Sequence, residues 1–198
     1  RIVRSTWLLL APEDKEVFHS SLSNPKLFAL GKLLRHMFRS TANQLNIITT
    51  NYDRLAEYAC EQERIHHYSG FSHGYRGHME NKNYLKCDRQ VNIWKVHGSL
   101  DWFVNEQGQI SSLSNTSDIP HGLTPLIVTP GLEKYRNTHK EPYKTTIHEA
   151  DDVIEAASSY LCVGFGFNDV HIQEKLVNRC AKDDAAIIVV TRTLSPAT

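Results

Sequence analysis

Residues 45–62 read LNIITTNYDRLAEYACEQ. The first six, Leu45–Thr50, are short, β-branched and apolar, which predicts a buried strand. Tyr52–Gln62 then places Leu55, Ala56, Tyr58 and Ala59 at near-helical spacing and predicts a helix. Upstream, Lys26–Ser40 comes after Pro25 with Leu27, Leu30, Leu33, Leu34, Met37 and Phe38 on one apolar face, a further helix. Downstream, Val91–Val96 (VNIWKV) reads as a strand, and Trp102–Leu113 as a hairpin turning near Glu106–Gly108. Pro125–Thr129 (PLIVT) is a strand and Thr145–Ser158 a helix. Tyr160–Gly164 (YLCVG) is a buried strand, succeeded by a helix from about Asp169 to Ala181. That helix carries Ile172, Leu176 and Cys180 on one face, with Asn168 as a natural N-cap. Ala185–Thr191 (AAIIVVT) closes as another buried strand.

Strands alternate with helices, and the strands are apolar on both faces. That pattern argues an α/β fold, a doubly wound parallel sheet with helices on both faces. The expected organisation is one domain over residues 1–198, with insertions at about 64–90 and 101–125. Residues 1–24 begin apolar and pass into a polar, Ser-rich piece. Residues 64–90 hold four His, four aromatics and three Gly without a steady period. Residues 114–125 read as loop, and 131–144 are polar with Gly131 and Pro142 as punctuation.

The chain has 198 residues, 40% of them hydrophobic, enough apolar mass for a core. Lys plus Arg is 22 and Asp plus Glu is 22, so the net charge is zero. That balance gives no electrostatic case for direct nucleic-acid binding. No apolar run approaches the roughly 20 residues needed to cross a bilayer, so no membrane is expected. Cys60, Cys87, Cys162 and Cys180 are widely spaced and form no C-x-x-C pair. Free thiols in a reducing compartment are expected, and with them a cytoplasmic location. No metal site is expected, because the histidines lack ligand spacing. The first residue is Arg1 rather than Met, so the natural start is expected to lie upstream.

Three polar motifs share one position. Thr49-Thr50-Asn51-Tyr52-Asp53 comes after the strand at 45–50, and His97-Gly98-Ser99 after the strand at 91–96. Gly164-Phe165-Gly166-Phe167-Asn168-Asp169 comes after the strand at 160–164. In open α/β sheets ligands bind at the carboxyl edge of the strands. Each motif also has a plain reading. Gly164-x-Gly166 alone is a tight turn, Asp53 alone a helix cap, and a lone His is usually structural. Asn51 can orient a water or hold a ribose hydroxyl, and neutral His97 can accept a proton from a hydroxyl or water.

The set TTNYD, VHGSLDW and VGFGFNDVHI, from about Leu45 to Thr191, resembles the sirtuin-like family. It is most similar to the prokaryotic branch that hydrolyses NAD in antiphage defence. The resemblance implies a Rossmann-like fold with Asn51 and His97 as the catalytic pair and Asp53 beside the nicotinamide. It also implies that Gly164, Phe165, Gly166 and Phe167 line the adenosine side, with Thr50 and Ser99 as further NAD-binding residues. Residues 101–125 contain no Cys, against the zinc module of sirtuin deacylases, so no zinc is expected. Thr50 stands where deacylases carry Gln. The family's opening strand and Gly-rich phosphate loop have no counterpart here, since Gly31 is the only glycine before residue 70. The implied activity is NAD glycohydrolase, with NAD as substrate and nicotinamide and ADP-ribose as products. An NAD or ADP-ribose sensor or scaffold without turnover is the alternative, and a protein deacylase is less favoured. A homo-oligomer, and a partner ATPase, helicase or other defence protein, are the implied associations.

Overall fold

Strand β1, Gln44–Thr49, pairs in parallel with β4, Gln90–Lys95, over six residues without slip. Gln44 lies opposite Gln90 at one end and Thr49 opposite Lys95 at the other. The two-residue β2, His67–Tyr68, joins the other side of β4, also in parallel. The computed structural model describes residues 2–114, 116–129, 139–182 and 185–193. Residues 131–138 of the expected polar segment lie outside the described residues. The chain divides into units of residues 1–147 and 148–198, each described by itself.

In the first unit, successive side chains of β1 and β4 point to opposite faces. Leu45, Ile47, Val91 and Ile93 form one face. They pack with Leu34 and Phe38, from the helix α2 (Ala29–Met37) and its cap, and with Cys60 of α3 (Leu55–Gln62). The other face is not apolar as expected. Gln90 and Asn92 are buried there, and Gln90 Nε2 donates to Asn92 Oδ1 at 2.6 Å. Asn92 Nδ2 and Trp94 Nε1 both donate to Asn46 Oδ1 at 3.1 Å. Burying amides is tolerable because they satisfy one another.

The stretches read as two separate insertions meet in one antiparallel sheet. It comprises β3 (Arg76–Gly77), β6 (Ile110–Leu113), β5 (Gly98–Asn105) and β7 (Leu123–Ile127), in that spatial order. The expected hairpin is present as β5–β6. The strand read at 125–129 runs from 123 to 127 and pairs antiparallel with β5. Hydrophobic alternation carries no information on strand direction, so the parallel expectation for this strand is corrected here.

The N-terminal segment also differs from the reading. It is one 22-residue helix, α1 (Ile2–Ser23), that continues through Pro12. Long-range contacts hold it. Trp7 is 1% exposed, donates its indole N–H to Leu100 O at 2.7 Å and meets the Phe103 ring edge-on at 5.9 Å. Asp14, also buried, accepts from Arg54 and Tyr58. These contacts outweigh the hydrogen bond that a proline removes from a helix.

Helix α4 (Tyr143–Ala156) contains the boundary between the units. In the second unit, β8 (Ser159–Val163) and β9 (Ala186–Val190) pair in parallel from Ser159 opposite Ala186 to Val163 opposite Val190. Helix α5 (Val170–Lys182) buries Ile172 and Leu176, as its periodicity implies. Its cap lies one residue later than expected: Asp169 Oδ1 accepts the Ile172 N–H at 3.3 Å. The two strands are not buried as their sequences suggest, Val163 being 64% and Ile188 62% exposed. A sheet of two strands cannot cover both of its own faces. The architecture is α/β and Rossmann-type, with parallel strands joined through helices.

Cys60 is fully buried, and burial pushes its thiol up to about 12. The reactive species is the thiolate. At pH 8 a soluble thiol reagent should therefore leave Cys60 unmodified in the native protein and label it on unfolding. Mass mapping after a short labelling pulse checks this, and native labelling of Cys60 would contradict the packing of α3 on β4.

Candidate functional site

The parallel register brings two of the three motifs together. Because Thr49 lies opposite Lys95, Thr50–Asp53 and Val96–Ser99 leave adjacent strands at the same carboxyl edge. Hydrogen bonds then join the two segments. Val96 N–H donates to Thr49 O at 3.2 Å and Leu100 N–H donates to Tyr52 O at 2.9 Å. Ser99 Oγ lies 3.4 Å from Tyr52 O, its one proton being given to Asp101. Strand β7 closes a third side. Val128 N–H donates to His97 O at 2.8 Å, and Tyr52 Oη–H donates to Val128 O at 2.6 Å. Burial raises the Tyr52 pKa, which keeps its hydroxyl a donor.

Gly98 makes this closure feasible. Its φ is +86°, and a Cβ there would sit 2.1 Å from Leu126 O. Only glycine fits both the left-handed backbone and the close approach of β7. His97 is held half-buried at this turn, while Asn51 is exposed. The Asn51 N–H donates to Thr49 Oγ1 at 3.1 Å, which fixes the backbone on which its amide stands. Thr50 is half-buried beside it.

Asp53 adopts its plain reading in part. Its Oδ1 accepts the Leu55 N–H at 3.1 Å, an Asx turn that leads into α3, whose N-cap is Arg54. Ser99 is fully buried and donates to the Asp101 carboxylate, which also accepts from Ser112 Oγ. Both side chains thus have structural employment at the edge.

Sequence reasoning missed the groups beneath the edge. Lys95, at the end of β4, is 1% exposed. Its Nζ donates to Asp53 O and pairs with Glu57 Oε1 at 3.1 Å. Glu57 Oε2 is buried and has no partner among the described residues. Arg54 forms the second buried pair. Its N–H donates to Asp14 Oδ1 at 2.8 Å and its Nε to Asp14 Oδ2 at 2.9 Å. Burial opposes the Arg54 charge, but Asp14, together with Tyr58 and Asp101, outweighs it and the guanidinium pKa is raised. Tyr58 donates to Asp14 Oδ2 at 2.8 Å, and burial raises its pKa. The only sequence sign of this scaffold is a charged Lys inside a strand that is otherwise uncharged.

The third motif lies in the second unit. Gly164 has φ +61° with open space around a Cβ, so backbone conformation alone favours glycine there. Its N–H donates to Val190 O at 2.9 Å. Phe167 holds φ +54° without being glycine, is 7% exposed and packs on the Phe165 ring at 4.8 Å. Gly166 approaches Asn168, whose Nδ2 would lie 3.0 Å from a Cβ. The His-rich stretch is occupied internally. His67 Nε2 meets Glu61 Oε1 at 3.3 Å, and His73 Nε2 meets His67 O at 2.9 Å. Burial is the main cause of the lowered His73 pKa. Among the described residues no group of His, Cys, Asp or Glu could hold a metal ion, and no helix is long and apolar enough to cross a membrane.

Residues 45–194 match the family model described as SIR2-like domain. No curated protein matches the chain. Among solved structures, a mutant Sir2 homologue in complex with ADP-ribose is 18% identical, at a TM-score of 0.46. The match covers 77% of this chain and 50% of that one. A Sir2 mutant with a p53 peptide and NAD is 15% identical at a TM-score of 0.46, covering 84% of this chain and 58% of that one. The chain thus spans little more than half the length of these solved proteins.

Lys95 and Glu57 should behave as a coupled pair. Replacing Lys95 alone by Met leaves a buried, uncompensated carboxylate and should cost about 3–5 kcal/mol. The double change Lys95→Met with Glu57→Leu should recover much of that loss. Urea unfolding of Lys95→Met, Glu57→Leu and the double variant reads the coupling. Additive losses would show that the two charges do not depend on each other.

Proposed function

The chain belongs to the SIR2-like domain family, and we propose that it hydrolyses NAD at the bond between nicotinamide and ribose. The observation that carries the proposal is the shared edge. An Asn and a His, each just past the end of a parallel strand, leave neighbouring strands in register, with two backbone hydrogen bonds tying the segments together.

The chemistry suits these side chains. Nicotinamide leaves as a neutral molecule from a cationic pyridinium, so the leaving group needs little acid help. Positive charge develops on the ribose, and a water must meet its anomeric carbon. As that bond breaks, the bonding pair goes to the nicotinamide nitrogen. The water oxygen bonds to the ribose carbon and one proton is released. Asn51 would hold the water or the ribose hydroxyls through its amide. His97 would accept the proton from water or a ribose hydroxyl. The Asp53 carboxylate would favour positive charge nearby and orient the carboxamide. Thr50 would flank the ribose, with Ser99 buried beneath it and bonded to Asp101. In the second unit, Gly164, Phe165, Gly166 and Phe167 are proposed to contact the adenosine part. The products are nicotinamide and ADP-ribose, and NAD is consumed as a substrate.

The resemblance to the defence branch supports NAD depletion during phage infection as the biological setting. A homo-oligomer acting in the cytoplasm, alone or with a partner ATPase or helicase, belongs to the same proposal.

Nicotinamide release, monitored by chromatography, tests the reading. Asn51→Ala and His97→Ala should each lower turnover by about 10²–10⁴-fold with the circular dichroism spectrum unchanged. Full activity in both variants would overturn the assignment. Saturable NAD binding without any product would move the protein to the sensor reading.

A further inference from the structure

The opposite edge of the same parallel sheet carries a cavity of about 530 Å³. His66 and Arg89 line it and stand immediately before β2 and β4, so it lies at the amino-terminal ends of these strands. Six residues of strand separate that edge from Asn51 and His97, about 20 Å. Four arginines line the cavity: Arg35, Arg39, Arg64 and Arg89, over an apolar floor of Phe38 and Ile65. No acidic side chain lines it among the described residues. In a chain of zero net charge this is a local concentration of cations.

Two of the four are engaged. Arg35 pairs with Glu63 at 2.7 Å, and Arg89 Nη1 donates to Phe38 O at 2.5 Å. Among the described residues the side chains of Arg39 and Arg64 have no hydrogen bond or ion pair. A plain account exists for cations here, because α2 and α3 both end at the cavity and a helix end carries about −0.5 charge. Those two ends and Glu63 leave an excess of about two positive charges against the four guanidiniums. The dipole alone is therefore overcompensated.

Arg64 adds a second observation. The Ile65 N–H donates to Cys60 O at 2.9 Å and the Arg64 N–H to Glu61 O at 3.0 Å. This is the Schellman ending of α3, and Arg64 occupies its left-handed position at φ +56°. Glycine is the usual residue there, because a Cβ is strained in that conformation. The chain carries an arginine where its own backbone favours glycine, and that side chain lines the cavity.

We infer that this cavity is a second ligand site, for a small phosphorylated anion of nucleotide size, held by Arg39 and Arg64 with Arg35 and Arg89 flanking. Guanidinium forks match phosphate oxygens in a bidentate geometry. The concavity is open to solvent, and Arg89 lies over the Phe38 ring at 5.9 Å, so the guanidiniums rather than enclosure would supply the affinity. Every residue it uses lies at this edge, apart from Asn51 and His97, so the two sites stand or fall separately.

Calorimetric titration of the full chain with inorganic pyrophosphate, and separately with ATP, tests it. Saturable binding is expected. Arg64→Gly should weaken it at least about tenfold, with a melting temperature equal to or above that of the parent. Arg39→Gln should weaken it comparably, and His97→Ala should leave pyrophosphate binding intact. Absence of saturable binding, or binding unchanged in both arginine variants, overturns the inference. So does binding confined to a 5′-phosphorylated oligonucleotide, which would make the cavity a nucleic-acid contact.

Discussion

The six-residue parallel register of β1 on β4 is the constraint on which the candidate site depends. Side-chain direction alternates along a strand, so a slip of one residue would exchange the two faces of the strand. Leu45 and Ile47 would leave the α2–α3 core, and Asn46 would lose Asn92 and Trp94. The apolar face and the amide face therefore specify the same pairing. With Thr49 opposite Lys95, the segments bearing Asn51 and His97 can emerge only side by side.

Beyond the ends of the strands, the turns are held by charge rather than by apolar burial. Residues 52–54 are tied from three directions: Leu100 to Tyr52 O, Lys95 to Asp53 O, and Asp14 to both backbone and guanidinium of Arg54. Buried ion pairs contribute little net stability against an apolar replacement, but losing one partner is costly. Their effect here is positional. They fix the turn that presents Asn51 while leaving its amide at the surface. Strand β7 completes the frame through Tyr52 and His97, at an approach that Gly98 alone allows.

Much of this architecture is legible in the sequence, and the exceptions have physical reasons. LNIITT and VNIWKV declare themselves as strands through β-branching, and α2, α3 and α5 through their spacing. Helix α3 starts at Leu55, later than the apolar pattern suggests, because Asp53 makes an Asx turn to Leu55 and Asn51–Arg54 form the turn. The paired strands β2 and β3 are two residues each, too short to show alternation. α1 is illegible because its reasons, Trp7 on Leu100 and Asp14 on Arg54, lie 93 and 40 residues away along the chain. Lys95 is invisible as a site component because its partner, Glu57, is 38 residues distant. Asn51 and His97 can be picked out because strand ends are readable without knowing any long-range contact.

Residues 49–53 and 96–100 should together form one edge that receives the nucleotide. Hydrogen exchange with and without ADP-ribose tests this most directly. Amides of both segments are expected to gain protection together, at the same ligand concentration. Protection of one segment without the other, or of neither while ligand binds, would contradict a shared edge.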